Sequence, residues 1–145
     1  MIKILCVGKI KEKYLTDLIS DYLKRISKYH KIEIIEIKDN PNYQKEVTNL
    51  LSKIDDKDYN IALDLKGNNY TSEKFAKKID ELFIYNSTIT FIIGGSNGLN
   101  DEIREKCDEI ISFSNLTFPH GLFRGILLEQ IYRAFKINNN ETYHK

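Results

Sequence analysis

The segment Gly94-Gly95-Ser96-Asn97-Gly98 is the part of this sequence best equipped for chemistry. It matches G-x-S-x-G, in which a serine on a sharp strand-to-helix turn presents its hydroxyl as a nucleophile. Asp108 and His120 follow it in the order a Ser-Asp-His hydrolase would need. Such an enzyme also draws an oxyanion-hole amide from an earlier loop, usually glycine-rich, and only the single glycines Gly8 and Gly67 stand there. The chain is also short for that fold. A second chemistry open to the same residues is binding, because three glycines in five positions let the backbone pass close to a ligand while its amides donate hydrogen bonds. Neither G-x-x-x-x-G-K-[ST] nor an early G-x-G-x-x-G occurs, so nucleoside triphosphate and dinucleotide sites of the common types find no support.

Other candidates are weaker one by one. Phe118-Pro119-His120 suits an ordinary helix start, Glu129, Gln130 and Arg133 suit a solvated helix face, and Tyr143-His144-Lys145 suits a frayed end. Cys6 and Cys107 lie far apart and no histidine or cysteine falls at metal-ligand spacing, which predicts buried free thiols and no metal. Lys plus Arg number 22 against 21 Asp plus Glu, so a net charge of +1 gives no general grip on nucleic acid, and any such binding needs a local patch.

The elements that must position these residues follow from periodicity. With 145 residues, 41% of them hydrophobic, one domain with one core is expected over 1–145. Apolar runs at 2–7, 32–37, 59–65, 89–93 and about 109–112 read as strands. Helical spacing joins Tyr14, Leu15, Leu18, Ile19, Tyr22, Leu23 and Ile26, then returns over 44–54, after Thr71 or Ser72, after Asn100 or Asp101, and from His120 to Ile137. Gly67-Asn68-Asn69 reads as a turn, and Pro119 as the first residue of the last helix. Strands separated by helices, with no hairpin signals, predict an α/β fold: a mainly parallel sheet with helices on both faces. Ligands in such sheets bind beyond the carboxyl ends of the strands, which singles out 65–69, 94–98 and 113–118. No run is long and apolar enough for a membrane span or signal peptide, so a cytoplasmic protein is expected.

Along the last helix the polar stripe is Glu129, Arg133 and Lys136, while Leu128, Ile131, Tyr132 and Phe135 take most of the remaining circumference. That predicts cover on two sides, by the sheet and by a second subunit, hence a homodimer. Arg124 falls almost opposite the stripe, where an unpaired charge is too costly, so it requires an anion. Two partners are open: a structural ion pair within or between subunits, or an RNA phosphate or ligand carboxylate.

Taken in order, Phe91-Ile92-Ile93-Gly94-Gly95-Ser96-Asn97-Gly98, Leu116-Thr117-Phe118-Pro119-His120, Leu128-Glu129-Gln130-Ile131-Tyr132-Arg133-Ala134-Phe135-Lys136-Ile137 and Tyr143-His144-Lys145 closely resemble the ribosomal RNA large subunit methyltransferase H family. The resemblance runs the whole chain, from Val7-Gly8-Lys9 onward. It implies a SPOUT fold with a C-terminal trefoil knot, an exception to the rule against threading. It implies S-adenosyl-L-methionine as cofactor and N3 of a pseudouridine in 23S ribosomal RNA, free or in the ribosome, as substrate. Carried over by motif, the cofactor site comprises Leu63, Gly94, Phe113, Ser114, Asn115, Leu116, Thr117 and Phe118. His144 is the candidate general base, since an imidazole titrates near neutrality, and Tyr143 would stack on or orient the base. Arg124, Arg133, Lys136 and Lys145 are candidate RNA or dimer contacts. Gly121 departs from the family, whose members tend to carry glutamine or proline there. A small serine hydrolase and a non-enzymatic RNA-binding protein are the alternatives.

Overall fold

The computed structural model describes residues 1–145. Five strands form one all-parallel sheet: β1 (Ile2–Val7), β2 (Ile32–Ile37), β3 (Tyr59–Asn69), β4 (Ile89–Ile93) and β5 (Glu109–Ser112), in the order β2-β1-β4-β3-β5. The helices are α1 (Lys13–Ile26), α2 (Tyr43–Lys53), α3 (Ser72–Tyr85), α4 (Asp101–Lys106) and α5 (His120–Asn138). No helix is long and apolar enough to cross a membrane.

A strand covered on both faces needs apolar side chains in both alternating directions. In β1 and β4 these serve two cores. Ile2, Ile4, Cys6, Ile89, Phe91 and Ile93 face α1, α3 and α5, whereas Leu5, Val7 and Ile92 face α2 and α4. All five residues of β4 are buried, and a Phe91→Ala change there would cost about 3–5 kcal/mol through the cavity it leaves. Burial also lifts the Cys6 thiol to about 11, although the charge of Arg124 opposes the rise. It stays protonated at neutral pH.

Helix starts follow the capping residues. Asn42 accepts from the amides of Gln44 and Lys45, Thr71 from Lys74 at 3.1 Å, and Asn100 from Ile103 at 3.0 Å. Pro119 is not the first helical residue: its backbone is extended (ψ 135°), and α5 begins one residue later, at His120.

Two expectations are corrected. The expected Gly67-Asn68-Asn69 turn is strand, because β3 leaves the β5 ladder after Leu63 and rejoins it at Asn68 and Asn69. Glycine is required at 67 by close approach, since a Cβ there would lie 2.6–2.7 Å from the backbone of Ile110 and Ile111. The other concerns the cover of α5. Leu128, Ile131, Tyr132 and Phe135 are buried within the chain itself, between the sheet, α1 and α3, with Gly125 letting Leu18 approach to where a Cβ would be 2.8 Å away. No second chain is needed to cover that helix.

The amino end of β5 is held by one carboxylate. Glu109 takes Lys78 Nζ at 2.8 Å and hydrogen bonds from the hydroxyls of Tyr59 and Tyr70. Burial pushes its pKa up, but Lys78, Tyr70 and Tyr59 together outweigh burial and hold it below the ordinary carboxylate value. A depressed native pKa stabilises the fold above the unfolded value of about 4.3, and the contribution is lost as pH falls through the native value. Chemical denaturation between pH 7 and pH 3 should therefore show a steeper acid loss in the wild type than in Glu109→Gln. The variant should also be about 1–3 kcal/mol less stable at pH 7.

Candidate active site

The carboxyl ends of β3, β4 and β5 open onto a cleft of about 790 Å³. One wall is the stretch of β3 that stands out of the β5 ladder, Leu63 to Lys66; the second is the loop after β4; the third is the loop from Phe113 into the first turn of α5. Each wall has its own reason to hold that shape. A Cβ on Gly94 would lie 2.7 Å from the carbonyl carbon of Gly98, so only glycine allows the β4 loop to fold back on itself in the Gly95–Gly98 bridge. Gly98 itself has φ +70°, in the left-handed region. In the last loop Ser112 Oγ donates to the Ser114 carbonyl and the Leu116 amide donates to Ser114 Oγ, both at 2.9 Å. Phe113 packs edge-on against Phe75 and Phe123, and Phe118 stacks on Phe123.

Seven of the eight expected cofactor residues line this one cleft: Leu63, Gly94, Phe113, Ser114, Leu116, Thr117 and Phe118. Asn115 lies on the same loop but faces out. The structure adds Asp64, Lys66, Arg104, His120 and Phe123. Arg104 reaches Asp64 at 2.9 Å and the Leu99 carbonyl at 2.6 Å, tying α4 to β3 across the cleft floor. Its pair with Asp101 lowers the Asp101 pKa by hydrogen bonding and charge. Asp64 had a signal in its place beside Leu63; Arg104 had none, because its partner is 40 residues away in the chain.

The hydrolase constellation is not assembled. Ser96 and His120 share the cleft, but Asp108 sits at the amino end of the sheet, where its carboxylate accepts from the Asn60 amide at 2.8 Å. A strand's length, on the order of 15 Å, separates the two ends. No triad forms.

Tyr143 and His144 do not line the cleft. The tail folds along α5, where the Tyr143 hydroxyl donates to Glu129 at 3.1 Å and its ring lies under Arg133. Burial, with Tyr22 and Glu129, pushes the Tyr143 phenol well above its ordinary pKa. His144 Nδ1 is 3.0 Å from Arg133 Nη1, and Nε2 is 2.6 Å from Glu73 Oε1. A guanidinium can only donate, so Nδ1 accepts and the ring proton sits on Nε2, toward Glu73. That hydrogen bond is the first cause of the lowered Glu73 pKa.

The cations proposed for RNA are mostly committed. Arg124, almost fully buried, binds Glu36 at 2.7 Å and the Gly8 carbonyl at 3.2 Å, which supplies the required anion inside the subunit. Arg133 pairs with Glu129 and Lys136 with Glu141; Lys145 is exposed and unpaired. A Cβ at Gly121 would lie 3.2 Å from the end of Leu15 and 3.9 Å from Ile10, a tight fit that a small shift of the Leu15 side chain would relieve.

Comparison with known proteins adds a family. Residues 1–144 match the family model described as a predicted SPOUT methyltransferase. The chain is 50% identical to ribosomal RNA large subunit methyltransferase H 1 of Clostridium perfringens, 48% to the methyltransferase H of Streptococcus uberis and 46% to that of Lactobacillus acidophilus, each over 99% of both chains. Among solved structures it is similar to a probable methylase family protein of Haemophilus influenzae, with TM-score 0.59 and 15% identity over 99% of this chain and 70% of that one, a likeness of fold.

The glycine loop yields a direct check. Gly94→Ala must push the Gly98 backbone aside, so it should cost about 1–3 kcal/mol in urea denaturation and shift amide resonances of 94–99 while leaving those of α3 in place.

Proposed function

The chain belongs to the SPOUT methyltransferase family, and we propose that it methylates N3 of a pseudouridine in large-subunit ribosomal RNA with S-adenosylmethionine as donor. The observation that carries this reading is the convergence of Leu63, Gly94 and the 113–118 loop on one cleft at the carboxyl edge of a parallel sheet. The residues fit the donor's shape: Leu63, Leu116 and Phe118 offer apolar surface for adenine and ribose, and the bare backbone at Gly94 and along 113–118 offers donors and acceptors for their polar edges. When bound, the donor supplies an electrophilic methyl group. The protein's part is to align the ring nitrogen with it and to take up the N3 proton. The C-terminal trefoil knot belongs to the same reading, with 113–118 and α5 as the threaded segment.

The homodimer now rests on different residues. Tyr14, Leu116 and Leu122 are exposed apolar side chains around the amino-terminal turn of α5, which packs on α1 where Gly121 meets Leu15. A second copy seated on them would bury an otherwise wetted patch at the cleft mouth. Because Tyr143 and His144 lie outside their own cleft, they serve the cleft of the partner in this arrangement. Arg133 and Glu73 hold the imidazole in one tautomer until the partner's substrate replaces them. Lys145, exposed and unpaired beside the tail histidine, and Lys66 in the cleft are the cations placed to meet phosphate in this arrangement. A ribosomal substrate makes the protein cytoplasmic.

Calorimetry should find micromolar S-adenosylmethionine binding to the wild type; silence, with ester hydrolysis lost in Ser96→Ala, would return the hydrolase. His144→Ala should bind the donor normally and lose 10²–10⁴-fold in kcat, as expected for a general base. Retained turnover with weaker RNA binding would remove it from that role. Mixing Gly94→Trp with His144→Ala subunits should restore activity in heterodimers if cleft and tail come from different chains, and should restore none if each subunit works alone.

A further inference from the structure

The loop that closes the cleft behind β4 contains three glycines, and glycine makes a loop costly to order. Something must hold it. The first turn of α2, to which no function has been given so far, lies against it. Tyr43 and Glu46 are three residues apart on that helix and share a face. The Tyr43 hydroxyl donates to the Gly98 carbonyl at 3.2 Å. Glu46 is 94% buried (relative exposure 6%), and Oε2 lies 3.7 Å from where a Cβ of Gly95 would be, on the side of the loop packed against Val7.

Glu46 makes no ion pair and no side-chain hydrogen bond, and solvent still reaches its carboxylate oxygens, so the buried part of the side chain acts as packing against the loop. What the side chain meets is the back of the glycine loop, beside Gly95. Burial and the negative charge of Glu46 together raise the Tyr43 phenol, while Arg104 opposes them, which places the three groups in one electrostatic neighbourhood beneath the loop. The phenol therefore remains a donor to Gly98.

We propose that Tyr43 and Glu46 are positioning residues that hold the Gly94–Gly98 loop in its donor-binding shape, Tyr43 through the Gly98 carbonyl and Glu46 through its contact behind Gly95. The inference rests on the reading of the cleft as an S-adenosylmethionine site. Neither side chain lines the cleft, so both act through the loop. Holding it in the free protein removes an ordering cost that binding would otherwise carry.

Three readouts test this on the full-length protein: calorimetric Kd for S-adenosylmethionine, kcat at saturating donor, and hydrogen exchange of the 94–98 amides without donor. Tyr43→Phe, which removes one exposed hydroxyl, should raise Kd about five- to tenfold, speed exchange in the loop by a similar factor, and change kcat far less. Its thermal midpoint should move by no more than about 2 °C. Glu46→Ala, which removes the contact behind Gly95, should shift Kd and loop exchange the same way. Unchanged Kd and loop exchange in both variants overturn the proposal. So does faster exchange through the whole protein with a matching fall in thermal midpoint, which is the mark of a structural role. A wild type that fails to bind the donor overturns the cofactor reading itself, whereas a wild type that binds beside an unaffected Tyr43→Phe overturns only the clamp.

Discussion

A side chain at residue 67 would have to occupy the space of the Ile110 and Ile111 backbone, and the rest of the site depends on that exclusion. Because Gly67 lets the two chains touch, β3 can part from β5 after Leu63 and still rejoin it at Asn68. The residues between are released from the ladder and become a wall of the cleft, bringing Asp64 and Lys66 to the surface that a ligand would meet. A side chain at 94 is excluded in the same way, by the backbone of Gly98. Two glycine contacts thus shape two of the three walls, and both work by what they leave out.

Charge is distributed to suit. Arg124, Arg133 and Lys136 all find carboxylates within the chain, so three of the four cations that a one-dimensional reading offers to RNA are spent on structure. Arg124 shows why: at a position as buried as the aliphatic residues around it, only a fixed partner such as Glu36, helped by the Gly8 carbonyl, makes the charge tolerable. The tail follows the same logic. His144 is held between a donor and an acceptor, which orients the ring and at the same time keeps it away from its own cleft.

The strands, the helices and the parallel α/β arrangement were legible in the sequence because they depend on short-range periodicity and on caps within three residues of what they cap. β1, β2, β4 and β5 fall where alternation and apolar runs put them, and Asn42, Thr71 and Asn100 mark their helices. The edge that carries the cleft was legible because the carboxyl ends of parallel strands share one edge, but its first wall was expected at 65–69 and lies at 63–66, since β3 continues as strand through Asn69. Motif resemblance supplied the family. What sequence could not convey was everything that depends on distance through space. Gly67 reads as a turn until β5 is laid beside it, and α5 reads as needing a second chain until α1 and α3 are packed on it. Asp108 fits a triad by order alone until the sheet puts it at the opposite end from Ser96. Chain order carries no direction across a sheet, and only the tertiary structure decided which residues share an edge.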